Sequence, residues 1–420
     1  MGGPVGAGLA IAVGALLAAC GDGGPGGDRA AARLSLSETL SGADTAGYER
    51  ALEIRDFDFP ADHGPHPGFR TEWWYVTGNL TDKDARSFGF QFTIFRSALA
   101  PMPPALDSKW ATNQAYMGHF TLTDVAAGTF RAFERFARGA AGLAGAELGA
   151  AGRDVPAVGP SQRSAPPAGS AQPWIPPAGS GLRVWIEDWS LTGVTEGNGF
   201  PMRMRASEDG VSLDLRLDAG KPVVFQGDRG LSQKGPEPGN ASYYYAHTRL
   251  PASGTVVIQA DTFDVSGLAW MDREWSTSAL SGDQVGWDWF SLQLDDGWEV
   301  MVYQLRLADG TPDPLSDGVL IDPDGEKIPL EWGTDVRLEP TGSWTSPIDG
   351  ARYPSGWRLL APSQGVDLRI EPVLDDQELD LAFRYWEGAV DVHGTGAGGV
   401  PVSGRGYVEL TGYAGDVRGR

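Results

Sequence analysis

Cysteine is nearly absent from this 420-residue chain: Cys20 is the only one, so no disulfide can form within one copy. Histidine is scarce as well. Five residues are scattered along the chain, and His63 and His66 make one loose pair. That falls short of the His/Cys ligand set of a zinc site, and no metal is expected. Basic residues are outnumbered, 33 Lys and Arg against 55 Asp and Glu, for a net charge of −22. An acidic surface repels phosphate backbones, which argues against nucleic acid as a partner. The chain has no Gly-x-Ser-x-Gly elbow, phosphate loop or dinucleotide fingerprint. A serine α/β-hydrolase and nucleotide chemistry are therefore disfavoured, and no cofactor is expected. The apolar run Leu9–Ala19 is shorter than the roughly 20 residues that span a bilayer, and no long helical periodicity follows it.

What is present begins with that run. It ends in Leu17-Ala18-Ala19-Cys20, small residues before a Cys. The pattern fits a lipoprotein signal peptide over 1–20, with the Cys20 thiol lipidated to become the mature N-terminus. An ordinary signal peptide with an incidental Cys is the alternative. No Lys or Arg precedes Cys20, although signal peptides carry a positive n-region, so the true start codon could lie upstream. Residues 21–48 are rich in Gly, Ala and Ser and read as a flexible tether. The expected location is the cell envelope, lipid-anchored at the periplasmic face. Gly21 after the cysteine is not an Asp retention residue, which points to the outer membrane.

Strand patterns dominate the remainder. Phe88, Phe90, Phe92 and Ile94 alternate with other residues, as do Val211, Leu213, Leu215 and Leu217, and again Leu379, Leu381, Phe383 and Tyr385. Period-two alternation is what a half-buried strand requires, because successive side chains point to opposite faces. Asp-Gly turns separate the runs at Glu208-Asp209-Gly210, Asp295-Asp296-Gly297, Ala308-Asp309-Gly310 and Pro323-Asp324-Gly325. Many short strands with frequent turns imply an antiparallel sandwich or barrel. The segment 147–181 is Ala, Gly, Pro and Ser with almost no large apolar residue, and reads as a disordered surface insertion. A faint repeat links Glu72-Trp73-Trp74-Tyr75, with Arg96 ending the next strand, to Trp287-Asp288-Trp289-Phe290, with Arg306 ending its successor. Two copies of one barrel-like unit would explain it, as would coincidence among Trp-rich strands.

The densest chemistry lies in Trp270-Met271-Asp272-Arg273-Glu274-Trp275 and the following Trp287-Asp288-Trp289. On a strand Asp272 and Glu274 share a face and Arg273 points the other way. A carboxylic acid walled by Trp loses hydration, so its pKa should rise and it can deliver a proton near neutrality. The plainer reading is a structural ion pair of Arg273 inside a Trp-rich core. Upstream, Tyr243-Tyr244-Tyr245-Ala246-His247 offers proton donors and acceptors, though three adjacent Tyr cannot all face one cavity. Glu72, Gln91 and His119 could line the first barrel, or form a buried network that fixes strand register.

Several long motifs in order resemble the AttH and carotenoid 1,2-hydratase (hydroxyneurosporene synthase) family. They are Thr71-Glu72-Trp73-Trp74-Tyr75-x-Thr77-Gly78-Asn79-Leu80, Gln91-Phe92-x-x-Phe95-Arg96, Gly118-His119-Phe120, Gly142-Leu143-Ala144-Gly145-Ala146, Tyr244-x-x-His247-Thr248-Arg249-Leu250, Trp270–Trp275, Gly286–Phe290 and Gly406–Gly412. The resemblance covers about residues 55–415, excluding the insertion. It implies two tandem lipocalin-like antiparallel β-barrels, here expected over 49–250 and 251–420. It also implies export and an apolar small-molecule or lipid substrate. In the hydratase branch an acid protonates an isolated alkene and water captures the cation. Mapped on this chain, Asp272 would be the acid, with Glu274, His247, Tyr245 and Asp288 tuning it or positioning water. Trp270, Trp275, Trp287 and Trp289, with Glu72, Trp74 and His119, would bind the ligand. That branch carries Asp-His where this chain has Asp272-Arg273. The resemblance further suggests an ABC transporter as partner. The competing readings are a non-catalytic carrier of hydrophobic ligands and a purely structural envelope lipoprotein.

Overall fold

The computed structural model describes residues 45–149, 181–194, 198–278 and 280–414. Cys20, the apolar run before it, most of the expected tether and nearly all of segment 147–181 lie outside the described residues. The described chain is all-β, as expected, and its helix is confined to short 3-10 turns.

The first sheet holds β1 (Thr71–Asp82), β2 (Ser87–Ala98), β3 (Gln114–Asp124), β4 (Thr129–Arg138), β5 (Ala144–Leu148), β6 (Leu182–Ile186), β7 (Trp189–Thr192), β8 (Met202–Glu208), β9 (Val211–Leu217), β10 (Val224–Phe225), β11 (Leu231–Gln233), β12 (Ala241–Ile258) and β13 (Asp261–Ser276). The second holds β14 (Gln284–Leu294), β15 (Glu299–Leu307), β16 (Asp317–Ile321), β17 (Lys327–Glu331) and β18 (Arg337–Pro340). A separate hairpin, β19 (Ser343–Thr345) with β20 (Arg352–Pro354), interrupts it. It continues with β21 (Trp357–Ala361), β22 (Val366–Pro372), β23 (Glu378–Leu379), β24 (Tyr385–Thr395) and β25 (Pro401–Leu410).

Both sheets are built alike. In the first, the order β4-β3-β2-β1-β13-β12-β9-β8 pairs the first strand with the last, β1 with β13. In the second, β17-β16-β15-β14-β25-β24-β22-β21 does the same with β14 and β25. The short strands β10 and β11 hang on β12, as β23 hangs on β24. The repeat seen in the sequence is thus a structural repeat. Glu72 pairs with Arg96, and Asp288 with Arg306. Each joins the opening strand of its unit to the end of the next. The first unit is a nearly closed barrel. Its edge strands β4 and β5 are not hydrogen-bonded to each other, and side chains bridge the seam region instead. Phe120 meets Trp189 at 5.9 Å, and the Arg135 guanidinium lies 4.5 Å from the Trp189 ring. The second unit is a half-open barrel.

Local sequence explains the strands. At the β8–β9 hairpin both Asp209 (φ 48°) and Gly210 (φ 80°) are left-handed, as a two-residue turn of the favoured hand demands. The inward residues of β2 and β9, Phe88 to Ile94 and Val211 to Leu217, lie in the core of the first barrel. Two expectations need correcting. The division at 250/251 would cut β12 in half; the first sheet instead runs through Ser276, because β12 and β13 form one long hairpin. The alternation Leu379–Tyr385 is not a continuous strand. The chain leaves the ladder after Leu379 and rejoins it at Tyr385, where the Arg384 side chain is drawn to Glu378 and Asp349.

The two units meet face to face. The outer face of β1, β2, β3 and β13 packs on β14, β24 and β25 across a largely polar layer. Asn79 donates to the Gly406 carbonyl (3.0 Å), Thr123 to Gln377 (2.8 Å), and Gln293 to the carbonyls of Thr248 and Ala269. At Gly89 the sheets touch: a Cβ there would sit 2.5 Å from the Ala389 Cβ. Gly89→Val should therefore force the sheets apart and cost about 1–3 kcal/mol of stability. Denaturant unfolding checks this, and an unchanged midpoint would refute the close approach.

Candidate active site

The inter-sheet layer opens at one end into a pocket of about 710 Å³, measured out to its open mouth. Its walls come from both units: Trp73 and Tyr75 of β1, Phe95 of β2, Tyr244 of β12, Asp272 and Glu274 of β13, Trp287 and Trp289 of β14, and Glu409 of β25. Lys234, Leu280, Tyr303 and Leu305 complete it. Strand alternation puts Asp272 and Glu274 on this face and sends Met271, Arg273 and Trp275 into the first barrel.

Asp272 is buried, and three aromatic side chains frame it. Trp270 Nε1 donates to Oδ1 at 2.7 Å, Tyr244 OH donates to Oδ2 at 2.6 Å, and Trp289 Nε1 donates to the Tyr244 hydroxyl at 3.2 Å. Burial pushes the Asp272 carboxyl up to about 7; Glu274 adds to the rise, while Tyr244, Trp270 and Lys234 oppose it. An indole N–H can only donate, so Oδ1 is held as the acceptor oxygen; a proton taken up by Asp272 goes to Oδ2, where the Tyr244 hydroxyl turns from donor to acceptor. Glu409, half-buried across the pocket, is pushed up to about 8 by burial, with Asp272 and Glu274 adding to it. Lys234 faces these acids, with Nζ 3.5 Å from Glu274 and 4.1 Å from the Tyr303 ring centre. Burial lowers its pKa, but Glu274 and the other nearby acidic groups outweigh that, so it stays cationic. The pocket thus holds one fixed ion pair and two acids that titrate near neutrality.

Behind the wall runs a buried polar chain. Tyr75 donates to Glu387, whose carboxyl burial and Glu409 push well upward. Tyr385 lies beside Glu387 and 2.7 Å from His119 Nδ1. His119 Nε2 is 3.1 Å from Glu134, which is partly exposed.

Of the residues expected from sequence, Asp272, Glu274, Trp287 and Trp289 share the pocket, and Trp270 supports Asp272 from behind. The others do not line it. Tyr245 faces the first barrel, with its hydroxyl 2.6 Å from His63 Nδ1, because it neighbours Tyr244 on the strand and must point the other way. His247 is buried beside Phe200 and His63, and its Nε2 has no hydrogen-bond partner among the described residues. Burial, with His63 adding, pushes its pKa well below the ordinary value. Asp288 lies on the face opposite Trp287 and Trp289, bound by Arg306 (3.0 Å) and Tyr413 (2.9 Å). Glu72, Trp74 and Trp275 belong to the first barrel. There Glu72 takes ion pairs from Arg96 and from Arg273 (2.6 Å), and the Arg273 guanidinium stacks 3.8 Å from Trp74. Burial alone would raise the Glu72 carboxyl, but Arg273 and Arg96 hold it well below the carboxylate range. Gln91 and His119 lie in the inter-sheet layer, not inside the barrel, because they alternate with the inward Phe92 and Phe120. The Asp-Arg departure also has a structural meaning. Position 273 points away from the pocket, so the Arg removes nothing from its wall.

Sequence reasoning missed Tyr244, Lys234, Glu409, Trp73, Tyr75 and Phe95. Only register could find most of them: Tyr244 pairs with Glu274 and Tyr75 with Asp272 across neighbouring strands. Glu409 sits inside the conspicuous Gly406–Gly412 motif, which is the one signal that could have flagged it.

These charges set the response to two substitutions. Glu72→Gln leaves two buried guanidinium groups uncompensated and should cost about 3–5 kcal/mol. Chemical denaturation would show this, and a neutral effect would refute the structural role. Asp272 has a raised folded pKa, so its neutral form is favoured in the fold. Its burden is absent below the unfolded carboxyl value near 4, grows as pH rises, and is complete above about 7. Asp272→Asn should therefore be more stable than wild type at pH 8 and lose that advantage toward pH 4. Melting curves across pH decide, and a parallel offset at all pH values would contradict the raised acid.

Comparison with known proteins bears on most of the chain. The family model described as AttH-like matches residues 50–152 and 176–413. The gap falls inside the Ala-, Gly-, Pro- and Ser-rich segment. A solved AttH protein from Nitrosomonas europaea is 32% identical, covers 87% of this chain and is itself covered completely, with a TM-score of 0.69. Kievitone hydratase from Fusarium solani subsp. phaseoli is 25% identical over 240 residues, 54% of this chain. The chain spans 65% of that relative's length. The crystal structure of kievitone hydratase from Nectria haematococca shares the fold, with 14% identity, a TM-score of 0.58, and coverage of 88% of this chain and 97% of that one. The chain belongs to the AttH-like family.

Proposed function

We propose that this protein is an acid catalyst acting on an apolar, unsaturated, isoprenoid- or lipid-like molecule, which it hydrates or isomerises in the inter-barrel pocket. The observation that carries the reading is Asp272: a carboxyl group whose pKa is about 7, held by Trp270 and Tyr244 on the wall of an aromatic pocket. Similarity to a hydratase supports it.

The substrate alkene sits among Trp73, Trp287 and Trp289. Asp272 Oδ2 gives up its proton, and the alkene π pair forms the new C–H bond. Positive charge develops on the more substituted carbon, where indole faces stabilise it. In hydration a water held by the Glu274 carboxylate adds its oxygen to that carbon, and its extra proton returns to Asp272. In isomerisation a neighbouring C–H gives its proton back to the Asp272 carboxylate, and the electron pair of that bond forms the shifted double bond. Glu409 holds a second proton across the pocket. Export and a lipid anchor at Cys20, which rest on residues outside those described, belong to this proposal as well, as does a transporter partner, which rests on the family resemblance alone.

The test is mass spectrometry of apolar compounds extracted from gently purified wild type and Asp272→Asn. An unsaturated compound enriched in the variant, with its hydrated or rearranged product in wild type, is expected. With that compound in hand, turnover should fall in Asp272→Asn by about 10²–10⁴-fold. The wild-type rate should decline about tenfold per pH unit above 7, as the proton on Asp272 is lost. Identical lipid mixtures in both proteins would overturn catalysis by Asp272 and leave a carrier.

A further inference from the structure

The connection between β2 and β3 carries an unusual load. Leu99, Met102, Leu106 and Trp110 are 51%, 74%, 69% and 60% exposed within twelve residues. Leu143 joins them at 40%, since the Ala141 N–H of its turn donates to the Lys109 carbonyl. A soluble surface scatters large apolar side chains singly; a cluster marks a binding face. The loop is not loosely hung. Leu99 N–H donates to the Asn113 carbonyl, Asn113 Nδ2 donates to the Ala100 carbonyl, and further bonds run from Leu106, Ser108 and Ala111. Pro101, Pro103 and Pro104 stiffen it. The apolar side chains are therefore presented outward by an ordered scaffold.

Three observations say what covers them. The loop stands at the strand ends where the pocket lies: Phe95 lines the pocket and Leu99 is four residues further, roughly 13 Å along an extended chain. Trp73 near the start of β1, Glu274 near the end of β13 and Trp287 near the start of β14 mark the same end. Second, the described chain enters beside the loop. Tyr48 OH donates to the Ala98 carbonyl at 3.0 Å, and Pro101 fills the space above Gly47. The first described residues thus lie at this face, and an anchor at Cys20 would be tethered to the chain from here. Third, the loop is electrically balanced, with Asp107 against Lys109, in a chain of net charge −22. Its attraction is apolar and needs no anionic headgroup.

We infer that the 99–110 loop, with Leu143, is a membrane-docking element that inserts into the apolar boundary of a lipid bilayer and sets the pocket mouth against it. An apolar ligand then passes between bilayer and pocket without crossing water. This goes beyond the catalytic reading and holds equally for a carrier.

The experiment uses the full-length chain as its host cell produces it, reconstituted with phosphatidylcholine vesicles whose acyl chains are brominated. Trp110 emission is taken as the difference between wild type and Trp110→Phe. Expected is quenching of that component by the brominated chains, insensitive to salt. In Leu99→Ser/Met102→Ser/Leu106→Ser it should fall by roughly tenfold or more, with an unchanged circular dichroism spectrum. Trp110 emission that ignores brominated chains yet stays open to aqueous acrylamide would overturn the inference. So would shielding from both quenchers together with sedimentation as a dimer, which would assign the face to a second copy. Quenching unaltered in the triple variant would overturn it too, by placing the contact elsewhere.

Discussion

Everything in this structure depends on one constraint: a strand has two faces, and in the central strands of both sheets both faces are buried. Along β1, β2, β13 and β14 one set of alternate side chains fills a barrel, and the other enters the layer between the barrels. The barrel sets are apolar, and hydrophobic burial holds each unit together. The inter-sheet set contains Thr77, Gln91, Thr93, His119, Asp272, Ser291, Gln293 and Glu387, all buried. Polar groups in that position are costly unless bonded. The layer answers with cross-sheet hydrogen bonds, and it retains a few groups, such as Thr77 Oγ1 and Glu387 Oε2, without a partner among the described residues.

That layer also holds the acids that meet at the pocket. Asp272, Glu409 and Glu387 are all displaced upward by burial and by one another. Inside the barrels, by contrast, acids have dedicated guanidinium partners: Glu72 with Arg96 and Arg273, Asp288 with Arg306. The same residue type therefore serves two ends. At Glu72 two guanidinium groups hold the buried carboxylate in its charged form, whereas at Asp288 burial still raises the carboxyl despite Arg306. A buried carboxyl offered only Trp and Tyr hydrogen bonds is poised to exchange a proton. Neighbours one residue apart in sequence, Asp272 and Arg273, fall on opposite sides of this divide.

The repeat explains where the pocket comes from. Each unit opens with a Trp-bearing strand whose outward residues, Trp73 and Tyr75 or Trp287 and Trp289, face the other unit. Neither barrel alone encloses the pocket, so it exists only when both are present and packed.

The sequence by itself determined the class of fold, several of the strands and the family, and it singled out Asp272 and Glu274 as residues sharing one strand face. Period-two alternation, Asp-Gly turns and long motifs are local, and local geometry follows from local residues. Alternation alone is enough to separate Asp272 and Glu274 from Arg273. What only the tertiary structure decided was which of the two faces lines the pocket. Glu72, Trp74, Trp275, Tyr245 and Asp288 look as promising in the sequence as their neighbours, yet they turn into the barrels. Tyr244, Lys234 and Glu409 come from separate strands and a loop, 234 to 409 along the chain, and meet only because register and sheet-on-sheet packing bring them together. Register is a property of pairs of strands, and a single chain read in order carries no direct record of it.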